Sequence, residues 1–278
     1  MTPKLDGKLV LVGAGKMGGT LLLGMLKRGL DANVVSVEDP NPPDDIASAL
    51  ADYGVRAIPA TTEVPKPAQI VILAVKPQLM QTVAPKISER YVDANTLVVS
   101  IAAGLTLKNL QALVRNDTAI VRAMPNTPAA IGQAMTVCVA NERVRQDQRD
   151  LCDALMRCAG ETAWLTAEAD MDAVTAVSGS GPAYIFHLAE CLAQAGIEAG
   201  LDASLAHKLA RETIAGAGAL LRASPDDAAT LRTNVTSKGG TTAAALDVLM
   251  NDKDGLSSLM TRAVTAAANR SRELAKGE

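Results

Sequence analysis

The 278-residue sequence is poor in the side chains that most often carry metal or triad chemistry: it has two histidines and four cysteines. His187 and His207 lie in Ala/Leu-rich segments, and Cys138, Cys152, Cys158 and Cys191 form no C-x-x-C pair. Zinc sites draw on Cys and His clustered at ligand spacing. These residues therefore read as buried thiols and helix-surface imidazoles. An enzyme built on this chain is expected to use neither a His-based triad nor a metal. No apolar run reaches the roughly 18 residues that mark a bilayer span. After Met1-Thr2-Pro3-Lys4 no cationic leader precedes an apolar stretch and a small-residue cleavage site, so no signal peptide is expected and the cytoplasm is the expected compartment. A basic stripe is also missing, and the net charge is −3. Nucleic-acid binders carry such a footprint, so neither nucleic acid nor membrane is an expected partner.

What is present is globular. Hydrophobic residues make up 48% and charged residues 21%, enough apolar surface for a core and against disorder. The length suggests two domains. Short Val/Ile-rich runs at Lys8–Gly13, Asn33–Glu38, Val55–Ile58, Gln69–Val75, Thr96–Ile101, Thr118–Met124 and Ala134–Ala140 read as strands. Several are continuously apolar, as in strands covered on both faces. Helical patterns such as Met17–Gly29 and Pro77–Glu89 alternate with them, which argues for a parallel, doubly wound sheet. From about Thr166 the chain turns Ala-rich and loses its β-branched runs. Alanine is the strongest helix former, and Pro182 suits a helix start. Helices are expected over 168–177, 182–199, 203–222, 240–250 and 255–275. The expected division is thus 1–165, a dinucleotide-binding domain, and 166–278, an all-α domain. The second part has only Tyr184 and Phe186 as aromatics, little with which to fill a private core, so it is expected to pair with a second copy.

The segment Gly13–Gly18 (GAGKMG) follows LVLV and opens a helical pattern. That context makes it a dinucleotide loop: Gly13 for the tight turn, Gly15 for close approach of a pyrophosphate, Gly18 for helix–strand packing. Free amides at the helix start suit phosphates. An acidic residue about twenty positions further on commonly meets the ribose 2′-OH of NAD, and Glu38 and Asp39 stand there. Ala74–Pro77 (AVKP) and Ser100–Gly104 (SIAAG) fall at further strand ends, where ligands of open α/β sheets bind; ordinary turn chemistry explains them equally well. A second candidate is Asn234–Leu246 (NVTSKGGTTAAAL). Its hydroxyls at Thr236, Ser237, Thr241 and Thr242, with two glycines before a helical run, suit a carboxylate, whereas a helix cap needs only one hydroxyl. Ser178–Pro182 makes a weaker case of the same kind.

The ordered set VGAGKMG, LAVKP, SIAAG, RAMPNTP (122–128), AVSGSGPAY (176–184) and TSKGGTT resembles the pyrroline-5-carboxylate reductases over essentially the whole chain. The chain differs from that pattern at Lys16, commonly Asn, and at Lys238, commonly Pro. The resemblance implies an α/β fold in which a Rossmann-like doubly wound domain precedes an all-α dimerisation domain. It implies reduction of (S)-1-pyrroline-5-carboxylate to L-proline with NADPH or NADH, and a homodimer, often assembled five-fold into a decamer. By motif position, Val12, Gly13, Ala14, Gly15, Lys16, Met17 and Gly18 would line the cofactor phosphates. Asp39 would meet the adenosine ribose or its phosphate, and Ala74, Val75, Lys76, Pro77 and Ala103 would flank the ribose and nicotinamide. Asn234, Ser237, Gly240, Thr241 and Thr242 would hold the substrate, with Thr242 at the ring nitrogen as the catalytic residue. Two other readings compete: a β-hydroxyacid dehydrogenase-like enzyme, which would need a helical-domain lysine such as Lys208 or Lys238, and a non-catalytic dinucleotide sensor, which would need no second anion site.

Overall fold

The computed structural model describes residues 4–58 and 67–276; residues 1–3, at the start of the segment read for a leader, lie outside it. Two compact units emerge, one comprising Met1–Gly179 with Ala268–Glu278, the other Ser180–Ala267.

In the first unit the chain runs β1 (Leu9–Val12), α1 (Lys16–Lys27), β2 (Val35–Glu38), α2 (Asp44–Ala51), β3 (Ala57–Ile58), β4 (Ile70–Leu73), α3 (Pro77–Tyr91), β5 (Leu97–Ser100), α4 (Leu107–Gln111), β6 (Ala119–Met124), β7 (Ala134–Ala140), α5 (Gln146–Met156), β8 (Gly160–Trp164) and α6 (Met171–Val174). The described strands form one sheet, ordered β3-β2-β1-β4-β5-β6-β7-β8. The central strands are buried on both faces, as their unbroken apolar runs require. Alternation along β1 sends Leu9 and Leu11 to one core and Val10 and Val12 to the other. The first core packs against α1 through Leu21, Leu22 and Met25, the second against α3 through Met80, Ala84 and Ile87.

The pairing is parallel except between β6 and β7. A parallel crossover needs a dozen or more residues, and the link between Met124 and Ala134 is a short 3₁₀ segment at Thr127–Ile131. The chain therefore returns antiparallel. Strand β8 is not among the runs that the sequence marks as strands. Its GETAW sequence has no apolar run, because it lies at an edge and is only partly buried.

The second unit is helical: α7 (Gly181–Glu198), α8 (Ala203–Ala223), α9 (Ala228–Asn234) and α10 (Thr241–Leu249), followed by α11 (Leu256–Lys276), whose last turns belong to the first unit. Small residues let α7 and α8 approach: a Cβ added to Gly196 would lie 3.3 Å from Ala206 Cβ. Among its described residues only Ala193, Ala206, Ala210 and Gly255 are buried. Leu188, Leu192, Leu205, Leu209, Leu220, Leu221 and Val248 are exposed. The expected helix over 168–177 changes pitch, passing from a 3₁₀ turn through α6 to a π-turn at Thr175–Gly179.

Candidate active site

Strand register fixes where the glycine loop and its neighbours lie. Val12 pairs with Leu73, Leu73 with Ser100 and Ser100 with Arg122. The segments that follow these four parallel strands therefore leave the sheet at one edge. They are the glycine loop, Ala74–Pro77, Ser100–Gly104 and the RAMPNTP stretch.

The loop's conformation follows from its glycines. Gly13 has φ +92°, and a Cβ there would stand 2.9 Å from the Ala74 carbonyl carbon. At Gly18 a Cβ would meet the Gly13 oxygen at 2.3 Å, so α1 can pack onto the loop only without one. A Cβ added at Gly15, by contrast, would meet nothing within 4 Å. Gly15 is the N-cap of α1, with no side chain capping the helix and no acid in its first turn. The first-turn amides of Lys16, Met17 and Gly18 have no intrahelical acceptor and carry partial positive charge. Space at Gly15 and donors at the helix start together suit a diphosphate. Val12, Gly13, Ala14 and Gly18 are buried, Gly15 and Met17 half-buried, and Lys16 exposed. Ala74 and Val75 are half-buried, and Lys76, Pro77 and Ala103 are exposed.

The two carboxylates at the end of β2 have different surroundings. Glu38 is 5% exposed. Its Oε2 accepts from Arg90 Nη1 at 3.0 Å, its Oε1 lies 2.8 Å from Arg90 Nη2, and Tyr91 Oη also donates to it. Burying a carboxylate is tolerable only with such partners. Burial, reinforced by Glu38, pushes the Tyr91 hydroxyl up to about 12. Glu38 is thus a buried ion-pair partner, neither an open ribose ligand nor a solvated loop charge. Asp39 instead grips the loop: its Oδ2 accepts from the Ala14 amide at 2.7 Å and its Oδ1 from the Asn41 amide at 2.8 Å. With the Glu38 carbonyl accepting from Gly13 N at 2.8 Å, two consecutive residues at the end of β2 hold two consecutive amides of the loop.

The RAMPNTP stretch receives no role from its sequence, yet it leaves the sheet at the same edge. Asn126 Nδ2 donates to the Ser178 carbonyl at 3.1 Å, and its Oδ1 accepts from the Met135 amide at 2.9 Å. Asn126 therefore pins the π-turn that precedes α7. Arg122 pairs with Glu168 at 2.9 Å, whose same oxygen accepts from the Leu107 amide.

In the helical unit, α9 ends at Asn234 and α10 begins at Thr241. Between them Gly239 has φ +71°, a left-handed position that favours glycine. The Gly240 amide donates to the Ser237 carbonyl at 3.1 Å, closing the turn. The N-cap of α10 is Gly240, with no side-chain cap. The cluster of hydroxyls is thus not explained by capping. Thr236 does have an internal partner, the Arg232 carbonyl at 2.6 Å. Among the described residues, no hydrogen bond engages the side chains of Asn234, Ser237, Thr241 or Thr242. Thr241 and Thr242 themselves stand in the first turn of α10, whose amides have no intrahelical acceptor. Asn234, Ser237 and Thr241 are exposed, while Gly240 and Thr242 are half-buried.

The diphosphate-shaped loop on a doubly wound sheet is the mark of a dinucleotide-dependent oxidoreductase. A family model described as "NADP oxidoreductase coenzyme F420-dependent" matches residues 8–104, and one described as pyrroline-5-carboxylate reductase dimerisation matches residues 168–274. The chain is 37% identical over 274 residues to the pyrroline-5-carboxylate reductase of Pasteurella multocida, spanning 96% of this chain and 98% of that one. The structure of a pyrroline-5-carboxylate reductase from Coxiella burnetii superposes with a TM-score of 0.87 at 33% identity, covering 97% of this chain and 99% of that one. That of the Plasmodium falciparum pyrroline carboxylate reductase with NADP bound gives 0.81 at 27%, covering 97% and 98%. The chain belongs to the pyrroline-5-carboxylate reductase family.

Proposed function

We infer that this protein reduces (S)-1-pyrroline-5-carboxylate to L-proline, with NADPH or NADH as donor. The observation that carries the reading is the run of uncommitted polar groups at Ser237, Thr241 and Thr242 around a helix start that lacks a side-chain cap. A carboxylate is what such a nest of amides and hydroxyls suits. In this reading Val12–Gly18, Asp39, Ala74–Pro77 and Ala103 hold the dinucleotide. Asn234, Ser237, Gly240, Thr241 and Thr242 hold the substrate. The Gly240 amide is committed to its own turn, so Gly240 serves by leaving room and the donors are its neighbours.

When bound, the nicotinamide supplies a hydride to the imine carbon. The chain's own task is positioning, which alone removes a large part of a bimolecular barrier. Ser237 and Thr241 donate to the carboxylate and fix the ring's in-plane orientation. Thr242 hydrogen-bonds the ring nitrogen and holds a proton there, directly or through water. A neutral threonine is a weak acid, so orientation is its first role.

Residues 1–165 serve the cofactor, and 166–278 serve substrate and dimerisation. Exposed leucines on the helical unit support pairing with a second copy, and we extend this to five dimers in a decamer. The cysteines are free thiols, in keeping with a reducing compartment, and we assign the enzyme to the cytoplasm. The test is NADPH and NADH oxidation with pyrroline-5-carboxylate, set against reduction of NAD(P)⁺ by a β-hydroxyacid. Turnover of the hydroxyacid alone would move the protein to the dehydrogenase reading, and turnover of neither to the sensor reading.

A further inference from the structure

The last turns of α11 close a ring of contacts around the Ser100–Gly104 turn, and every member of the ring lies in the first unit. Gly104 has φ +75°, and a Cβ there would stand 3.4 Å from Leu274 Cβ and 3.8 Å from the Leu274 carbonyl carbon. Glycine suits both the left-handed backbone and the close approach of the α11 main chain. Asn109 Nδ2 of α4 reaches the Ala275 carbonyl at 3.5 Å, one of the final carbonyls that no intrahelical amide serves. Ser271 is buried and donates from Oγ to Asp172 Oδ1 of α6 at 2.6 Å, the length of a charge-assisted hydrogen bond. Glu168, four residues before Asp172, accepts from the Leu107 amide at the start of α4 at 2.7 Å. The end of the chain thus packs on the turn that follows β5, and the segment that holds that end also holds the helix into which the turn leads.

We propose, on the reading in which Ala103 flanks the nicotinamide, that Ser271 and Leu274 are positioning residues for that half of the cofactor. Ile101 and Ala102 are buried, whereas Ala103 is exposed, so the place of Ala103 is set by what holds its neighbours. On one side that is the sheet; on the other it is Gly104 against α11. A glycine has more backbone conformations open to it than any other residue, so a slackened α11 lets the turn drift. A misplacement of about 1 Å far from the chemistry can cost about a hundredfold in rate. Neither Ser271 nor Leu274 is among the residues assigned to the dinucleotide or the substrate, and both act through the turn alone. The glycine loop is held instead by Glu38 and Asp39 and takes no part in the ring, so the diphosphate end of the cofactor should not sense the change.

The test is calorimetric binding of NADPH and of 2′-phospho-ADP-ribose, which lacks the nicotinamide, to the full-length protein, with steady-state kinetics alongside. Ser271→Ala and Leu274→Ala should each weaken NADPH binding by about three- to tenfold, the scale of one neutral hydrogen bond. Each should leave 2′-phospho-ADP-ribose unchanged and lower kcat by about tenfold or more. Ser271→Thr keeps the hydroxyl and should lie near wild type in all three measurements. Ser271→Ala removes only an oxygen atom, so this variant should fold. Equal weakening of the two ligands would make α11 a support of the whole unit, and no change in either would make the turn independent of it; both outcomes overturn the proposal. The binding contrast uses nucleotide alone, so its failure is distinct from a failure of wild-type turnover, which would overturn the functional reading instead.

Discussion

Asp39 holds a charge and a latch in one side chain, and the two can be measured apart. Its carboxylate stands at the end of β2 and accepts the Ala14 amide at 2.7 Å and the Asn41 amide at 2.8 Å. Two variants separate the roles. Asp39→Asn removes the charge and keeps one acceptor oxygen; Asp39→Ala removes both. If the carboxylate faces the adenosine ribose, it repels a 2′-phosphate. Two unit charges 4 Å apart in water interact by about 1 kcal/mol, and Asp39 is only half-buried, so the water value applies. That is about fivefold in the ratio of kcat/KM for NADPH over NADH. Both variants should raise the ratio by that factor. Losing a hydrogen bond to a charged acceptor costs about 1.5–3 kcal/mol, and the partly exposed setting selects the lower end. Asp39→Ala should therefore also raise KM for both nucleotides by about tenfold. Steady-state kinetics with each donor at saturating pyrroline-5-carboxylate reads both effects. A ratio unchanged in both variants would refute the ribose-facing placement, and an unchanged KM in Asp39→Ala would refute the loop-latching role.

Other consequences can be measured directly. Thr242→Ala should lower kcat/KM for pyrroline-5-carboxylate by roughly 10- to 150-fold, the worth of one hydrogen bond to a charged group, with nucleotide KM unchanged; near-wild-type kinetics would remove Thr242 from the site. Gly18→Ala places a methyl 2.3 Å from the Gly13 oxygen and 2.7 Å from Ala74 Cβ. It should destabilise the protein by about 1–3 kcal/mol and weaken nucleotide binding, read by thermal melting and fluorescence titration. Tyr91, raised to about 12 from an unfolded value near 10, keeps its proton when folded where the unfolded chain has lost it. Its contribution to stability is therefore complete below about pH 10 and lost as pH rises towards 12. Urea midpoints should fall over that window, and less steeply in Tyr91→Phe. Leu192→Asp puts a charge where the helical unit exposes a leucine. If that leucine lies in the dimer contact, as we expect, light scattering should report a smaller assembly than wild type.

Much of the fold is legible in the amino-acid order. The strands β1, β4 and β5 announce themselves because burial on both faces demands near-continuous Val/Ile/Leu runs, and the glycine loop because its spacing follows backbone sterics. What escapes does so for physical reasons. The edge strand β8 is half-exposed and polar, so it carries no hydrophobic signal. The helix α9 is short and begins after Asp227, whose carboxylate accepts the Thr230 amide at 2.7 Å; a seven-residue helix leaves too few turns to show a period. Neighbouring acids read alike in sequence, yet alternation along the chain sends Glu38 inward to Arg90 and Tyr91 while Asp39 turns to the loop. The hydroxyl cluster is visible in the sequence; that Thr236 is committed to the Arg232 carbonyl and Gly240 to its turn is not.

The helical unit hides little more than Ala193, Ala206, Ala210 and Gly255 inside itself, and alanine offers almost no apolar area to withdraw from water. Most of what holds that unit in shape must come from another copy. Folding and association then become one event, and stability carries a logarithmic dependence on how much protein is in solution. For such a chain, dilution is itself a denaturant. Its melting temperature is a property of a concentration as much as of a sequence. A cell that makes less of the enzyme would lose activity faster than it loses chains, since the hydroxyls that we propose hold the substrate sit on the half that a lone copy leaves without a core.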